Sequence, residues 1–161
     1  MNRLAWSVLL LASCSRSDGI EAPKTIRLAS PDFSDNIPEM FARTAPRLVW
    51  SNRPERAREL ALVVDDPDAP TSEPYVHYVL TKMAPAEGGA PPIEGKGESG
   101  KVGWEPLEPP RGETHRYRFR VYALDTSLPA TPMTKGELLA AIKGHVLAWG
   151  ELRAAYRSTG P

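Results

Sequence analysis

The sequence predicts a mainly β domain, a β-sandwich with one peripheral helix near the C-terminus. Several short apolar runs rich in β-branched residues lie between stretches that favour turns. The chain has 161 residues and 17 prolines, a composition that favours many loops over a helix bundle. This length fits one domain whose core is large enough to fold without disulfides.

Five segments have the pattern of strands. The continuous apolar run Glu59–Asp65, bounded by turn residues, predicts a buried strand. Val76–Leu80 and Thr114–Leu124 alternate between two faces, as half-buried strands do. Ile26–Leu28 and Arg47–Trp50 are shorter candidates. Together they supply enough strands for two packed layers.

Three arginines, Arg116, Arg118 and Arg120, share one face of the strand Thr114–Leu124. Such a row is compatible either with nucleic-acid binding or with a solvated sheet face paired with acids. The formal net charge of the chain is zero, so we favour the solvated face and predict no nucleic-acid partner.

A helix is expected to begin at Thr134, because Thr134–Glu137 fits a capping box. Apolar residues follow at helical spacing as far as Val146, although Gly144 weakens the helix interior. The pattern leaves open whether Ala148–Arg157 continues the helix or forms an edge strand.

The long segment Met83–Glu113 is rich in proline, glycine and glutamate and has no sustained periodicity. A loop of this length in a compact domain is usually functional or mobile. Ser30–Met40, with two prolines and two aspartates, is also predicted to be a loop.

The N-terminus has a cationic start, an apolar run at Leu4–Leu11 that is too short to span a bilayer, and small residues before Cys14. This arrangement resembles the lipobox of bacterial lipoproteins. An ordinary secretory signal or a ragged apolar N-terminus is the alternative. The resemblance implies a signal peptide over residues 1–13, acylation of Cys14, a flexible tether over residues 14–24 and a domain over residues 25–161. The expected location is the bacterial cell envelope, on the periplasmic face of a membrane that the sequence does not identify.

Few residues are candidates for chemistry. The sequence has one cysteine and lacks a glycine-rich phosphate loop and the common zinc and serine-hydrolase motifs. We therefore predict no catalytic residue, no metal site and no cofactor. The histidines His77, His115 and His145 would singly fit ordinary interior or edge positions, and the Asp-Pro-Asp-Ala-Pro turn ending at Pro70 would alone be a stiff turn.

Two sequence blocks that follow one another in the chain are more specific than these single residues. Leu62–Pro70 reads Leu-Val-Val-Asp-Asp-Pro-Asp-Ala-Pro and is followed by His77, while Pro109-Pro110-x-Gly112 precedes the strand that opens with His115-Arg116-Tyr117. These blocks resemble the phosphatidylethanolamine-binding protein family, and more narrowly its bacterial Raf-kinase-inhibitor-like branch. The resemblance extends over roughly residues 25–157 and implies a Greek-key β-sandwich with a small pocket that accepts phosphate-like and other anions.

Carried over by motif position, the ligand-binding residues are expected to be Asp66, Asp68, Pro70, His77, Pro109, Pro110, His115 and Tyr117. Imidazole and phenol groups can donate hydrogen bonds to an oxyanion. A carboxylate facing the anion would repel it, so Asp66 is better suited to orient a histidine. The sequence departs from the family's Gly-Pro-x-Pro-Pro at Pro106–Pro110, which places Glu108 near the expected pocket and favours either weaker anion binding or a less charged ligand.

The expected function is therefore that of a lipid-anchored binding protein rather than an enzyme. Its partners would be a small anionic or phosphorylated ligand, the membrane through Cys14, and a protein that it could modulate. One alternative is a metal- or histidine-dependent phosphoester hydrolase using Asp66, His77 and His115. Another is an inhibitor of an envelope hydrolase.

Overall fold

The structure, a computed structural model, describes residues 14–86 and 89–159. The predicted mainly β fold is confirmed, with sheets that pack against one another and a helix near the C-terminus. In chain order the elements are β1 Cys14–Ser17, β2 Ile20–Pro23, β3 Arg27–Ala29, α1 Glu39–Arg43, β4 Val49–Ser51, β5 Glu59–Asp66, β6 Tyr75–Met83, β7 Ile93–Glu94, β8 Thr114–Leu124, α2 Lys135–Ile142 and β9 Val146–Arg157.

A five-stranded antiparallel sheet, in the order β7-β6-β5-β8-β9, forms the centre of the domain. Strand β5 lies in its middle, and all eight of its residues are buried. This explains the continuous apolar run, because a strand covered on both faces needs no polar alternation.

The two faces of the sheet belong to separate cores. Along β8, Tyr117 and Phe119 point into a core that includes Leu28 of β3 and residues around α1. Tyr122 and Leu124 point into a second core with α2 and β2. The alternation of β8 thus serves two packed layers.

The segment 14–24, which the sequence predicts to be a flexible tether, is folded in the structure. Strands β1 and β2 form a hairpin. Ile20 and Ala22 are buried against the second core, and the indole Nε1 of Trp149 donates to the carbonyl of Ala22 at 3.1 Å. The domain therefore begins earlier than residue 25, since Ile20 and Ala22 are needed to cover that face. The predicted signal peptide over residues 1–13 lies outside the described residues, and no described helix is long and apolar enough to cross a bilayer.

The C-terminal segment forms a strand. Helix α2 has the predicted capping box, in which the amide of Glu137 donates to the hydroxyl of Thr134 at 3.2 Å and the amide of Thr134 donates back to the carboxylate at 2.8 Å. The helix ends before Gly144, whose φ of 81° suits glycine, and β9 then pairs along the whole of β8. The short helix α1 begins within a segment predicted to be a loop.

The arginine row is only partly solvated. Arg116 is exposed, Arg118 is half-buried, and Arg120 is 2% exposed. Arg118 binds the fully buried carboxylate of Asp65 at 2.9 Å, and Arg120 contacts both Asp65 and Asp18. The expected pairing with acids is present, but the ion pairs lie beneath the N-terminal hairpin and α2 rather than in water.

Candidate functional site

A cavity of about 380 Å³ opens at the end of the central sheet where β5 and β8 meet. Neighbouring residues of a strand point to opposite faces, so Asp65 enters the ionic cluster whereas Asp66 faces this cavity. The lining residues are Asp66, Ala69, Pro70, Thr71, Tyr75, His77, Pro106, Glu108, Pro110, His115 and Tyr117. The structure thus brings together six of the eight residues expected to bind a ligand, and their role in binding stays a prediction.

His115, near the start of β8, is buried and is held by Asp66 from the adjacent strand. Its Nδ1 lies 2.6 Å from the Oδ2 of Asp66, and because a carboxylate only accepts, Nδ1–H is the donor. Burial by itself lowers the pKa of His115, but the hydrogen bond and the charge of Asp66 outweigh it and raise the pKa above the ordinary 6.5. This ring therefore favours the protonated state at mildly acidic pH.

His77, on β6, is also buried but has a different partner. Its Nδ1 lies 3.1 Å from the carbonyl oxygen of Glu105, so Nδ1–H donates and the neutral ring keeps Nε2 unprotonated. Burial lowers the pKa of His77, and the carbonyl contact and the nearby Asp66 only partly compensate. The cavity therefore combines one histidine that favours the charged form with one that favours the neutral form.

Two tyrosines pack against His77. The rings of Tyr75 and His77 are 4.9 Å apart, and Tyr117 meets His77 edge-on at 5.3 Å and 74°. The hydroxyl of Tyr75 donates to the carboxylate of Glu105 at 2.7 Å, and this bond together with burial raises the pKa of Tyr75 to about 12. Tyr117 is fully buried, burial raises its pKa, and within the described ranges its hydroxyl has no hydrogen-bond partner.

The second half of the long loop Met83–Glu113 builds one wall of the cavity. The amide of Glu105 donates to the carbonyl of His77 at 2.9 Å, and the amide of Leu107 donates to the carbonyl of Ala42 at 2.8 Å. Because these contacts fix both flanks of Pro106, the wall is rigid there but offers no N–H at that residue. No sequence pattern indicated Glu105, because its contacts come from a segment without periodicity.

Two expected site residues do not line the cavity. Asp68 lies in the turn after β5, and its Oδ2 accepts from the amide of Arg116 at 2.9 Å and from its Nε at 3.3 Å. It therefore ties the turn to β8 in the described structure, and its role in ligand binding stays a prediction. Pro109 is buried away from the cavity, while its neighbour Pro110 lies at the rim.

Metal binding is not indicated by the side-chain geometry. Across residues 14–86 and 89–159, no group of three or more histidine, cysteine, aspartate or glutamate side chains is arranged to hold a metal ion. At both His77 and His115, Nδ1 already has an internal partner, which leaves only Nε2 of each ring for a ligand.

Comparison with known proteins decides the family. The family profile described as phosphatidylethanolamine-binding protein matches residues 29–157, which include both central motifs. This chain belongs to the phosphatidylethanolamine-binding protein family. A UPF0098 protein of Methanothermobacter thermautotrophicus is 39% identical over 126 residues, covering 70% of this chain and 82% of that relative.

Three further comparisons give one relative by sequence and two solved structures that share the fold. A Mycobacterium tuberculosis protein provisionally named lipoprotein LppC is 41% identical over 129 residues, covering 71% of this chain and 63% of that relative. The crystal structure of a provisionally assigned family homologue from Chlamydia trachomatis superimposes with a TM-score of 0.75 at 30% identity, over 84% of this chain and 99% of that one. Escherichia coli YbcL, at 20% identity and a TM-score of 0.72, shares the fold over 83% of this chain and 99% of its own.

Proposed function

We propose that this chain is a lipid-anchored binding protein whose cavity takes a small oxyanion such as a phosphate or phosphomonoester group. The observation that carries the proposal is the buried pair of His115 and Asp66, 2.6 Å apart, in a cavity that Tyr117 also lines; within the described residues the hydroxyl of Tyr117 has no hydrogen-bond partner. A buried hydroxyl without a partner is costly, so a ligand oxygen or water at this position would relieve that cost.

The hydrogen-bonding groups fit an oxyanion that carries one proton. The protonated ring of His115 presents Nε2–H as a donor, whereas the neutral ring of His77 presents Nε2 as an acceptor. A hydrogen phosphate or a phosphomonoester monoanion has both an acceptor oxygen and a donor hydroxyl. Binding should therefore be tighter at pH values at which His115 is protonated.

The hydrolase alternative receives less support from the cavity. Thr71 is the one aliphatic hydroxyl among the described lining residues, and it donates to the carbonyl of Glu73 at 2.6 Å rather than to a histidine. A nucleophile needs a base within hydrogen-bond reach, which Thr71 does not have here. The inhibitor alternative rests on the sequence resemblance alone.

Anchoring through Cys14 is part of the same proposal. It is supported by the lipobox-like sequence before Cys14 and by the relative that is provisionally named a lipoprotein. Acylation at that position would hold the domain at the periplasmic face of a bacterial membrane.

Calorimetric titration of the full-length protein with inorganic phosphate and with phenyl phosphate tests the cavity. We expect weak binding at about pH 6 that weakens further at about pH 8, because a smaller fraction of His115 is protonated at the higher pH. His115→Ala should abolish binding. His145→Ala is the matched control, since His145 is exposed and pairs with Asp125 at 2.9 Å outside the cavity. Absence of binding at both pH values would refute the anion cavity.

A further inference from the structure

A second carboxylate lies against His115. The Oε2 of Glu113 is 3.5 Å from Nε2, the ring nitrogen opposite the one that Asp66 holds. His115 is thus placed between two carboxylates, one on each nitrogen. Nε2 is the nitrogen left to a ligand in the proposed function.

The two carboxylates differ in burial, and therefore in how readily they can move. The side chain of Asp66 is 5% exposed, whereas that of Glu113 is 61% exposed. An exposed ion pair is weak, at roughly 1 kcal/mol or less, because water solvates both partners well. Glu113 can therefore leave Nε2 at little cost, while Asp66 is fixed.

The backbone positions Glu113 independently of its carboxylate. Its amide donates to the carbonyl of Pro110 at 2.9 Å, and its carbonyl accepts from the amide of Ser158 at 3.3 Å. Gly112, with a φ of 81°, makes the turn that brings the side chain towards the ring. A change of side chain at residue 113 leaves these contacts intact.

We propose that Glu113, which does not line the cavity but contacts the lining residue His115, is a tethered competitor: in the free protein its carboxylate pairs with His115 Nε2 and lowers the affinity of any ligand that needs this nitrogen. This inference rests on the proposed function. A ligand displaces the Glu113 carboxylate into water and puts its own oxygen on Nε2–H. The competitor weakens every ligand that needs Nε2 by the same factor, so appreciable binding is expected only for ligands with further contacts in the cavity, such as those to Tyr117 and His77.

Three variants of the full-length protein separate two effects: direct contact of the Glu113 carboxylate with Nε2, and the general negative charge near the cavity. Glu113→Gln removes the charge and weakens the contact. Glu113→Asp keeps the charge on a side chain one methylene shorter, which withdraws the carboxylate from Nε2. Glu108→Gln is the matched control, because Glu108 lines the cavity but has no contact with His115 among the described contacts.

The measurement is calorimetric titration with inorganic phosphate at about pH 6, with the pKa of His115 followed by NMR. We expect Glu113→Gln and Glu113→Asp each to tighten phosphate binding about threefold to fivefold, since removing an exposed competitor gains no more than one surface ion pair. Glu108→Gln should gain less. The pKa of His115 should fall in Glu113→Gln, because the Glu113 contact helps to raise it.

The outcomes are distinguishable. If the unmodified protein and all variants fail to bind phosphate, the anion cavity is refuted, and with it the competitor. If the unmodified protein binds but Glu113→Asp does not bind more tightly, or gains no more than Glu108→Gln, the competitor is refuted and the cavity stands. A gain in Glu113→Gln alone would mean that charge, not occupancy, is responsible, which also overturns the proposal.

Discussion

At the scale of single residues, the protonation of His115 links the cavity to folding. The pKa of His115 in the folded protein is raised above 6.5, with burial opposing and Asp66 favouring the charged form. A raised pKa contributes stability that is fully present below the pKa of the unfolded chain. That contribution is lost as the pH rises through the higher pKa of the folded protein.

This linkage predicts a pH-dependent effect of Asp66→Asn. The substitution should lower the free energy of unfolding more at about pH 5.5 than at about pH 8.5, because only the protonated ring gains from the carboxylate charge. Urea unfolding at the two pH values measures the difference. An equal loss at both would show that Asp66 contributes only a neutral hydrogen bond.

Site residues that lie within recognisable motifs could be predicted from the sequence. Contacts made by residues of irregular loops could not. Asp66, His77 and His115 were expected together because two sequence blocks resemble the family's motifs, and the structure places all three at one cavity. Glu105 holds His77 through a backbone carbonyl, which no side-chain pattern reveals. The position of Asp68 could not be derived from its sequence context, because a turn aspartate can equally face a cavity or a neighbouring amide.

At the scale of elements, the ionic cluster behind β5 joins three parts of the chain. Asp65 on β5 is fully buried and binds Arg118 and Arg120 of β8 and, at 2.7 Å, Lys135 at the start of α2. Asp18, in the turn of the N-terminal hairpin, contacts Arg120 and Lys135 from the other side. The cluster therefore secures both the hairpin and α2 to the central sheet.

Substitution of Asp65, the central acid of this cluster, should lower the stability of the folded protein strongly. Asp65→Asn is expected to lower the free energy of unfolding by about 3–5 kcal/mol, because Arg118 loses its described carboxylate partner and Arg120 and Lys135 each lose one acid while keeping Asp18. Asp68→Asn, in the more exposed turn, should lower it by about 1 kcal/mol or less. Denaturant unfolding of both variants checks the contrast. Similar losses would mean that water reaches the cluster.

The N-terminal hairpin gives a second prediction at this scale. A chain that starts at Thr25 should be less stable than one that starts at Cys14 by at least about 3 kcal/mol. It lacks the buried side chains of Ile20 and Ala22 and the carboxylate of Asp18. Thermal or urea unfolding of the two truncations decides the point, and equal stabilities would show that the hairpin is dispensable.

Elements with a clear period were predicted, whereas those that depend on tertiary pairing were not. Strand β8 and the start of α2 follow directly from alternation and from the capping box. The secondary structure of β9 was ambiguous in the sequence, because this segment becomes a strand by pairing with the edge of β8. The hairpin β1–β2 was missed because Ser, Asp and Gly favour a linker unless a hydrophobic face lies nearby to receive Ile20.

At the scale of the whole molecule, the fold places the cavity and the N-terminal hairpin, which begins at Cys14, on different parts of the domain. The cavity lies where β8 begins, at His115, whereas the N-terminal hairpin packs against Tyr122 and Trp149 on the other side of the sheet. Acylation at Cys14 would thus tether the domain through the hairpin and leave the cavity walls unmodified.

Membrane fractionation tests the anchor. Cys14→Ser should move the protein from the membrane pellet to the soluble fraction, because the variant lacks the sulfur that would be acylated. Ser13→Ala is the matched control, since it preserves a small residue before Cys14. If Cys14→Ser still pellets with membranes, lipid anchoring at Cys14 is refuted.

The most direct test of the anion cavity is an NMR titration of the histidine rings with and without inorganic phosphate. Phosphate should shift the ring signals of His115 and raise its pKa further, because the bound anion favours the protonated ring. The signals of the exposed His145 should not move. Unchanged His115 signals at saturating phosphate, or equal shifts at His115 and His145, would contradict a specific anion site in this cavity.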